Sequence, residues 1–148
     1  FQDPDDQLFC PTVLEDVAFG PLNLGKSREE ALQLAMDTLA SLGMAGFEER
    51  ITHQLSGGEK RMITLAAVLA MEPEVLLLDE PSNALDSNAR QHLIDTLQTL
   101  PQAMIIISHD ADFLAQLATR EVTLENAKLN PLATGTGKNV ISAEHEHA

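Results

Sequence analysis

A chain of 148 residues, 44% hydrophobic and 22% charged, carries enough apolar side chain for a real core and reads as an ordinary soluble globular protein, neither collagen-like nor disordered. Nine basic against 23 acidic residues give a net charge of −14, which repels phosphate backbones and anionic lipid and argues against a broad nucleic-acid-binding surface. The single cysteine, Cys10, excludes an internal disulfide and a cysteine-rich zinc site, and no apolar run approaches the ~20 residues needed to span a bilayer, so any membrane association has to come through a partner.

The chain opens on Phe1 within "FQDPDDQLF" and is expected to be part of a longer protein. Ser27 and Glu30 stand at capping-box spacing, and Ala31, Leu32, Leu34, Ala35, Met36, Leu39 and Leu42 then recur at helical intervals up to Gly43. A second helix starts at Ser56, with Glu59 as its capping partner, and runs to about Met71 before Pro73. Val75 to Leu78 is a short continuous apolar run of the kind buried on both faces of a parallel sheet. Asp86 or Ser87 can cap a helix to about Leu100, and Ala103 to Ile107 is a second strand ending in Ser108, His109 and Asp110. Strand, helix, strand at this spacing is a βαβ unit. A short helix near Phe113 to Leu117 and a hairpin of Glu121–Leu124 with Lys128–Leu129 follow. From Thr134 onward no periodicity is visible and a loose tail is expected.

Ligands of parallel sheets gather at the carboxyl ends of the strands, where this chain places Asp79 and Glu80 after one strand and Ser108 and His109 after the other. One acid at such a strand tip can hold magnesium through its water shell, while its neighbour orients or deprotonates a water. The plain alternative makes Asp79 and Glu80 a cap and a turn residue. Ser56, Gly57 and Gly58 open a helix, whose unpaired amides and partial positive charge suit an anion, the glycines leaving room for its approach.

Together, "LSGGEK", "LLLDEP", "LD" and "SHD" resemble the second half of the ATP-binding domain of ABC transporters. The resemblance covers Phe1 to about Leu129 and implies an α/β, P-loop-type ATPase core with a partial parallel sheet and an α-helical subdomain. Residues 1–130 would be a partial ATPase domain, about 20–72 helical and 73–130 the core, with 131–148 a flexible tail. It implies that Ser56, Gly57, Gly58 and Glu59 form the signature motif, which binds ATP held mainly by a second ATPase subunit. Asp79 would serve Mg2+, Glu80 would be the catalytic carboxylate, Asp86 would close the D-loop, His109 would be the switch histidine, and Gln2 would sense magnesium and the attacking water.

"FQDPDDQLFCPTVLEDVAFGPLNLG" is similar to the Q-loop region of the cobalt, nickel and energy-coupling-factor importers. That implies a transmembrane partner received by Asp3 to Phe9 and the helical subdomain, a position on the cytoplasmic face of the membrane, and transport of cobalt, nickel or a vitamin-like substrate. A plain solvated acidic loop is the alternative. The pattern also has departures. The phosphate-cradling loop and the adenine-stacking aromatic of the family would precede Phe1, so the chain is expected to be inactive alone. "GTGKN", Gly135 to Asn139, is no substitute, because Leu132 and Asn139 stand where a glycine and a hydroxyl residue are needed. Ser82, Asn83 and Ala84 depart from the commoner D-loop composition.

Two other classes compete. A DNA-maintenance ATPase of the SMC kind is disfavoured by the acidic charge, the lack of heptads and the presence of Gln2 only about fifty residues before Ser56. A non-catalytic truncated interaction module stays open. His145 and His147 in "EHEHA" can bind a transition metal weakly, or simply be solvated, and His53 and His92 read as surface or packing residues.

Overall fold

The computed structural model describes residues 8–125, 128–131 and 140–145, with side chains described as far as Val122. The chain divides between Pro73 and Glu74 into two compact units.

The first unit is helical: α1 (Val13–Asn23), α2 (Arg28–Ser41) and α3 (Gly57–Leu69). All three begin with a complete capping box, Thr12 with Glu15, Ser27 with Glu30 and Ser56 with Glu59, so two first-turn donors of each helix are satisfied by its own side chains. Of these, α1 was not anticipated from the sequence. Gly20 and Pro21 lie inside it and read as breakers; Pro21 gives up the i→i−4 bond to Val17, and the helix runs only two residues past it.

Packing favours α1 as a helix. Val13, Val17 and Ala18 are buried on one side of it, and α1 touches both α2 and α3. A Cβ on Gly20 would lie 2.6 Å from Met71 Cγ, so the glycine permits a close approach of α1 to the end of α3. α2 presents a narrower stripe, Ala31, Ala35 and Leu39, and is followed past its cap Leu42 by Gly43, whose φ of +73° lets the chain reverse. Met36, counted in its apolar pattern, is exposed.

The second unit is a sheet with two helices: β1 (Val75–Asp79), α4 (Ser87–Thr99), β2 (Ala103–Ile107), α5 (Ala111–Leu117), β3 (Arg120–Glu125), β4 (Lys128–Pro131) and β5 (Val140–His145). The strand order is β1-β2-β5-β3-β4, parallel throughout except for the antiparallel β3–β4 hairpin. The βαβ unit and the hairpin follow the sequence expectation. The loose tail does not, since β5 pairs with both β2 and β3. Its apolar signal is a mere Val140-Ile141 pair, too short for periodicity to register.

Burial also differs from the expected two-sided pattern. Leu76 and Leu78 are buried and pair in register with buried Met104 and Ile106, whereas Val75 is 50% and Leu77 67% exposed. One face of β1 packs and the other stays open among the described residues, so the strand alternates although its sequence is continuously apolar. α4, capped by Asp86 through the amides of Asn88 and Ala89, buries Leu93, Ile94 and Leu97 and contacts α5.

Candidate functional site

The residues singled out by sequence lie in both units, and each set is built separately. In the sheet unit, the pairing of Asp79 with Ile107 brings the carboxyl ends of β1 and β2 side by side. The Glu80 N–H donates to the Ile107 carbonyl at 2.8 Å, extending the register one residue past the strand. Glu80 then turns with φ +45°, a left-handed conformation that costs a residue bearing a Cβ of order 1–2 kcal/mol. This turn aims its side chain at the neighbouring strand end. The His109 main-chain N–H donates to Glu80 Oε1 at 3.2 Å, and His109 Nε2 lies 3.4 Å from the same oxygen.

Carboxylate and imidazole thus form a pair at the end of two parallel strands. Glu80 is the more sheltered partner, and the His109 side chain is 57% exposed and accessible to a ligand. The plain reading of Glu80 as a turn residue is also satisfied in part, since its carbonyl accepts the Asn83 N–H at 3.1 Å. Asp79, half-buried at the strand tip and next to Glu80 in the chain, is a hard oxygen donor of the chemistry that suits a hydrated magnesium ion. Among the described residues no group of three or more His, Cys, Asp or Glu side chains is arranged to enclose a metal, so an ion there would keep most of its water.

The turn after Glu80 runs through Ala84, also left-handed at φ +60°, to Asp86, whose carboxylate spends one oxygen on the amides of Asn88 and Ala89, both at 2.9 Å. Sequence reasoning missed a link between the two loops. Arg90, in the first turn of α4, makes a two-pronged ion pair with Asp110, the residue after His109. The Arg90 hydrogen bonds hold the Asp110 carboxyl below its ordinary range, with the Phe113 amide adding to the effect. No periodicity joins residues twenty positions apart, and the only hint was the acid in "SHD".

In the helical unit, Ser56 is the N-cap of α3. Its N–H donates to Glu59 Oε2 at 2.8 Å and its Oγ accepts the Glu59 N–H at 3.3 Å. The Gly57 and Gly58 amides belong to neither bond. A Cβ added to Gly57 would meet nothing within 4 Å, so the ground in front of the turn is open. An anion can therefore approach the helix end, although Glu59 sets a negative charge there. Arg50, missed from the sequence, offsets that charge: its Nη1 donates to Glu59 Oε1 at 2.7 Å while the guanidinium lies over the Phe47 ring. Hydrogen bonding from the Ser56 amide, followed in effect by Arg50, keeps the Glu59 carboxyl below its usual range.

From the first turn of α1 the Asp16 carboxylate, 4% exposed, accepts the amides of Phe9 at 3.0 Å and Cys10 at 2.8 Å, which precede the helix. Thr52 Oγ1 donates to the Cys10 carbonyl at 2.7 Å, and Thr12 bridges to Ile51. These bonds present Phe9, 64% exposed, edge-on to the half-exposed Phe19. Gln2, Asp3 to Gln7, Gly135 to Asn139 and His147 lie outside the described residues, as does the His145 side chain; His53 and His92 are exposed. No described helix is long and apolar enough to cross a membrane.

Residues 2–83 match the model of the ABC transporter family. A Brucella suis protein, provisionally named an ABC transporter ATP-binding protein, is 59% identical over 88% of this chain and 55% of its own length. The energy-coupling factor transporter ATP-binding protein EcfA of Methanothermobacter thermautotrophicus is 45% identical over 92% of this chain and 44% of its own. Among solved structures, CbiO1 from Clostridium perfringens, part of the ABC transporter complex CbiONQ, superposes with a TM-score of 0.79 at 32% identity, covering 91% of this chain and 55% of CbiO1. The chain spans about half the length of the curated relatives it matches.

Proposed function

We propose that this chain, which belongs to the ABC transporter family, supplies the signature turn, the general base and the switch histidine of a subunit that binds and hydrolyses ATP to energise a membrane importer. The observation that carries the reading is the Glu80–His109 pair at the carboxyl ends of adjacent parallel strands. Glu80 is the base, its carboxylate taking a proton from the attacking water. His109, exposed beside it, donates to the terminal phosphate, and its main-chain N–H keeps the Glu80 carboxylate turned toward the site. Asp79 would hold Mg2+, which when bound neutralises phosphate charge.

Ser56, Gly57, Gly58 and Glu59 take the phosphate of an ATP held mainly by a second ATPase subunit. The open space before Gly57 and the neutralisation of Glu59 by Arg50 favour that use of the helix end. Asp86 fixes the loop leading into α4, and Gln2 senses the metal and water. The helical unit up to Pro73 and the sheet unit after it, β5 included, form the ATPase portion. Asp3 to Phe9 and the helical subdomain, where the exposed Phe9 has its amide held by Asp16 and its ring edge-on to Phe19, receive a transmembrane subunit, which keeps the protein at the cytoplasmic face of the membrane. The likeness to EcfA and CbiO1 supports an importer of cobalt, nickel or a vitamin-like compound.

The test is ATP hydrolysis by the intact protein with Glu80→Gln beside wild type. Loss of a base acting at a positioned water lowers kcat by about 10²–10⁴-fold while nucleotide is still bound. Turnover by Glu80→Gln equal to wild type would refute the assignment, and nucleotide binding with no turnover by wild type would favour a non-catalytic interaction module.

A further inference from the structure

We propose that Arg90 is a positioning residue for this hydrolysis: by clamping Asp110 it holds the His109 main chain against the Glu80 carboxylate and ties that loop to the helix capped by Asp86. The inference rests on the functional reading above, and its geometry lies wholly within the sheet unit.

Arg90 Nε donates to Asp110 Oδ2 at 2.8 Å and Nη2 to Oδ1 at 2.9 Å. Two parallel bonds fix orientation as well as distance, which a single contact would not. The same Asp110 Oδ1 accepts the Phe113 N–H at 2.9 Å, and the guanidinium stands 5.8 Å from the centre of the buried Phe113 ring. On the other side, the Asp110 N–H donates to Oγ of the fully buried Ser108. Asp110 is therefore held by α4, by α5 and by the end of β2 together.

His109 sits between these two anchored residues, and its own exposed side chain offers little packing to locate it. Its place is set by the main chain. The bond from its N–H to Glu80, 3.2 Å to one oxygen and 3.5 Å to the other, is long for a carboxylate acceptor, so a shift of a few tenths of an ångström would lose it. Arg90 is also the residue whose N–H donates to the Asp86 carbonyl, at 2.9 Å. One residue thus joins the helix entry after Glu80, through its main chain, to the loop of His109, through its side chain. As a half-exposed ion pair its effect on stability is modest. Its effect on placement is the larger consequence.

The experiment uses the intact protein under hydrolysing conditions, with Arg90→Gln, Arg90→Lys, Asp110→Asn and the double variant Arg90→Gln/Asp110→Asn. Gln91→Ala, which breaks only an exposed bond to Asp95 on the same helix, is the control, and Glu80→Gln the reference. The expected result for Arg90→Gln is a kcat about 10-fold lower with KM within about 2-fold. Asp110→Asn keeps an N-cap acceptor and gives a similar loss, and the double variant is no worse than either single change.

Independently of turnover, exchange of the His109 amide hydrogen becomes at least about 5-fold faster in Arg90→Gln and is unaltered in Gln91→Ala. Full activity of Arg90→Gln, additive losses, or unchanged exchange at His109 would each overturn the proposal. Should Arg90→Gln fail to fold, Arg90→Lys, which keeps the charge and loses the fork, decides by the same readouts. If Glu80→Gln turns over like wild type, the functional reading falls, and the exchange measurement still decides whether Arg90 positions His109.

Discussion

Cys10 donates its main-chain N–H to Asp16 Oδ1 at 2.8 Å, and the same carboxylate helps to push its thiol up to about 11. Burial is the larger cause and Asp16 the next. At neutral pH the thiol is protonated and unreactive. Alkylation by iodoacetamide at pH 8 is expected to run at least about 50-fold slower than for an unperturbed cysteine, and to speed up in Asp16→Asn. Rapid labelling of the wild-type chain would contradict this.

Removing Asp16 has a structural effect as well. Its carboxylate is the acceptor for the amides of both Phe9 and Cys10, and it is nearly inaccessible to water. Asp16→Ala leaves those donors without it and should destabilise the helical unit by about 1–3 kcal/mol, read as a lower urea midpoint at unchanged slope. A variant as stable as wild type would mean that water replaces the carboxylate at no cost.

Acid should weaken the sheet unit through Asp110. Its carboxyl lies below the ordinary value of 3.8 in the folded protein, chiefly through Arg90, so the folded state binds its proton less readily than the unfolded chain does. The stabilisation is present above the unfolded value and drains away as pH falls through the folded one. Thermal stability of wild type relative to Asp110→Asn is thus highest above about pH 4 and converges below it. A difference that grew on acidification would have the wrong sign.

The cap of α3 offers a smaller, local test. Ser56→Ala removes the hydroxyl that accepts the Glu59 amide and should cost about 1 kcal/mol. Arg50→Gln, breaking an exposed pair, should cost under about 1 kcal/mol. Chemical denaturation of the two variants orders them, and a larger loss from Arg50→Gln would assign it a packing role against Phe47 instead.

Association of the isolated chain should run through β1. It is the terminal strand of the described sheet, and Leu77 and Val75 face solvent on it. Light scattering of concentrated wild-type chain is expected to show higher species that Leu77→Lys reduces, since a charge on an exposed edge strand opposes pairing. Strictly monomeric wild type would remove the premise.

Much of this architecture could be read from short-range chemistry. Ser27 with Glu30, Ser56 with Glu59 and the Asp86 cap are local signals, and each operates as expected. β2 begins and ends at the expected residues, and β1 extends by one. What escaped was set by contacts distant in sequence. α1 contains a glycine and a proline and is favoured by packing against two other helices. β5 gains its partners from strands far upstream. The one-sided burial of β1 depends on what covers each face, about which a run of leucines says nothing. Within the candidate site, strand-end acids and the histidine could be named from sequence, but not the fork of Arg90 on Asp110 or the ion pair of Arg50 with Glu59.

The left-handed backbone at Glu80 bears on how this position would drift under mutation. The residues that relieve its backbone most cheaply are glycine and asparagine, and neither presents a carboxylate toward His109. Selection for folding alone would therefore push the position away from glutamate, and under the proposed function selection for turnover would hold it there. A library randomised at residue 80 and sorted first for soluble expression, then for growth dependent on transport, should enrich different amino acids in the two rounds. The size of that divergence would measure how much stability is given up at one residue for the proposed base.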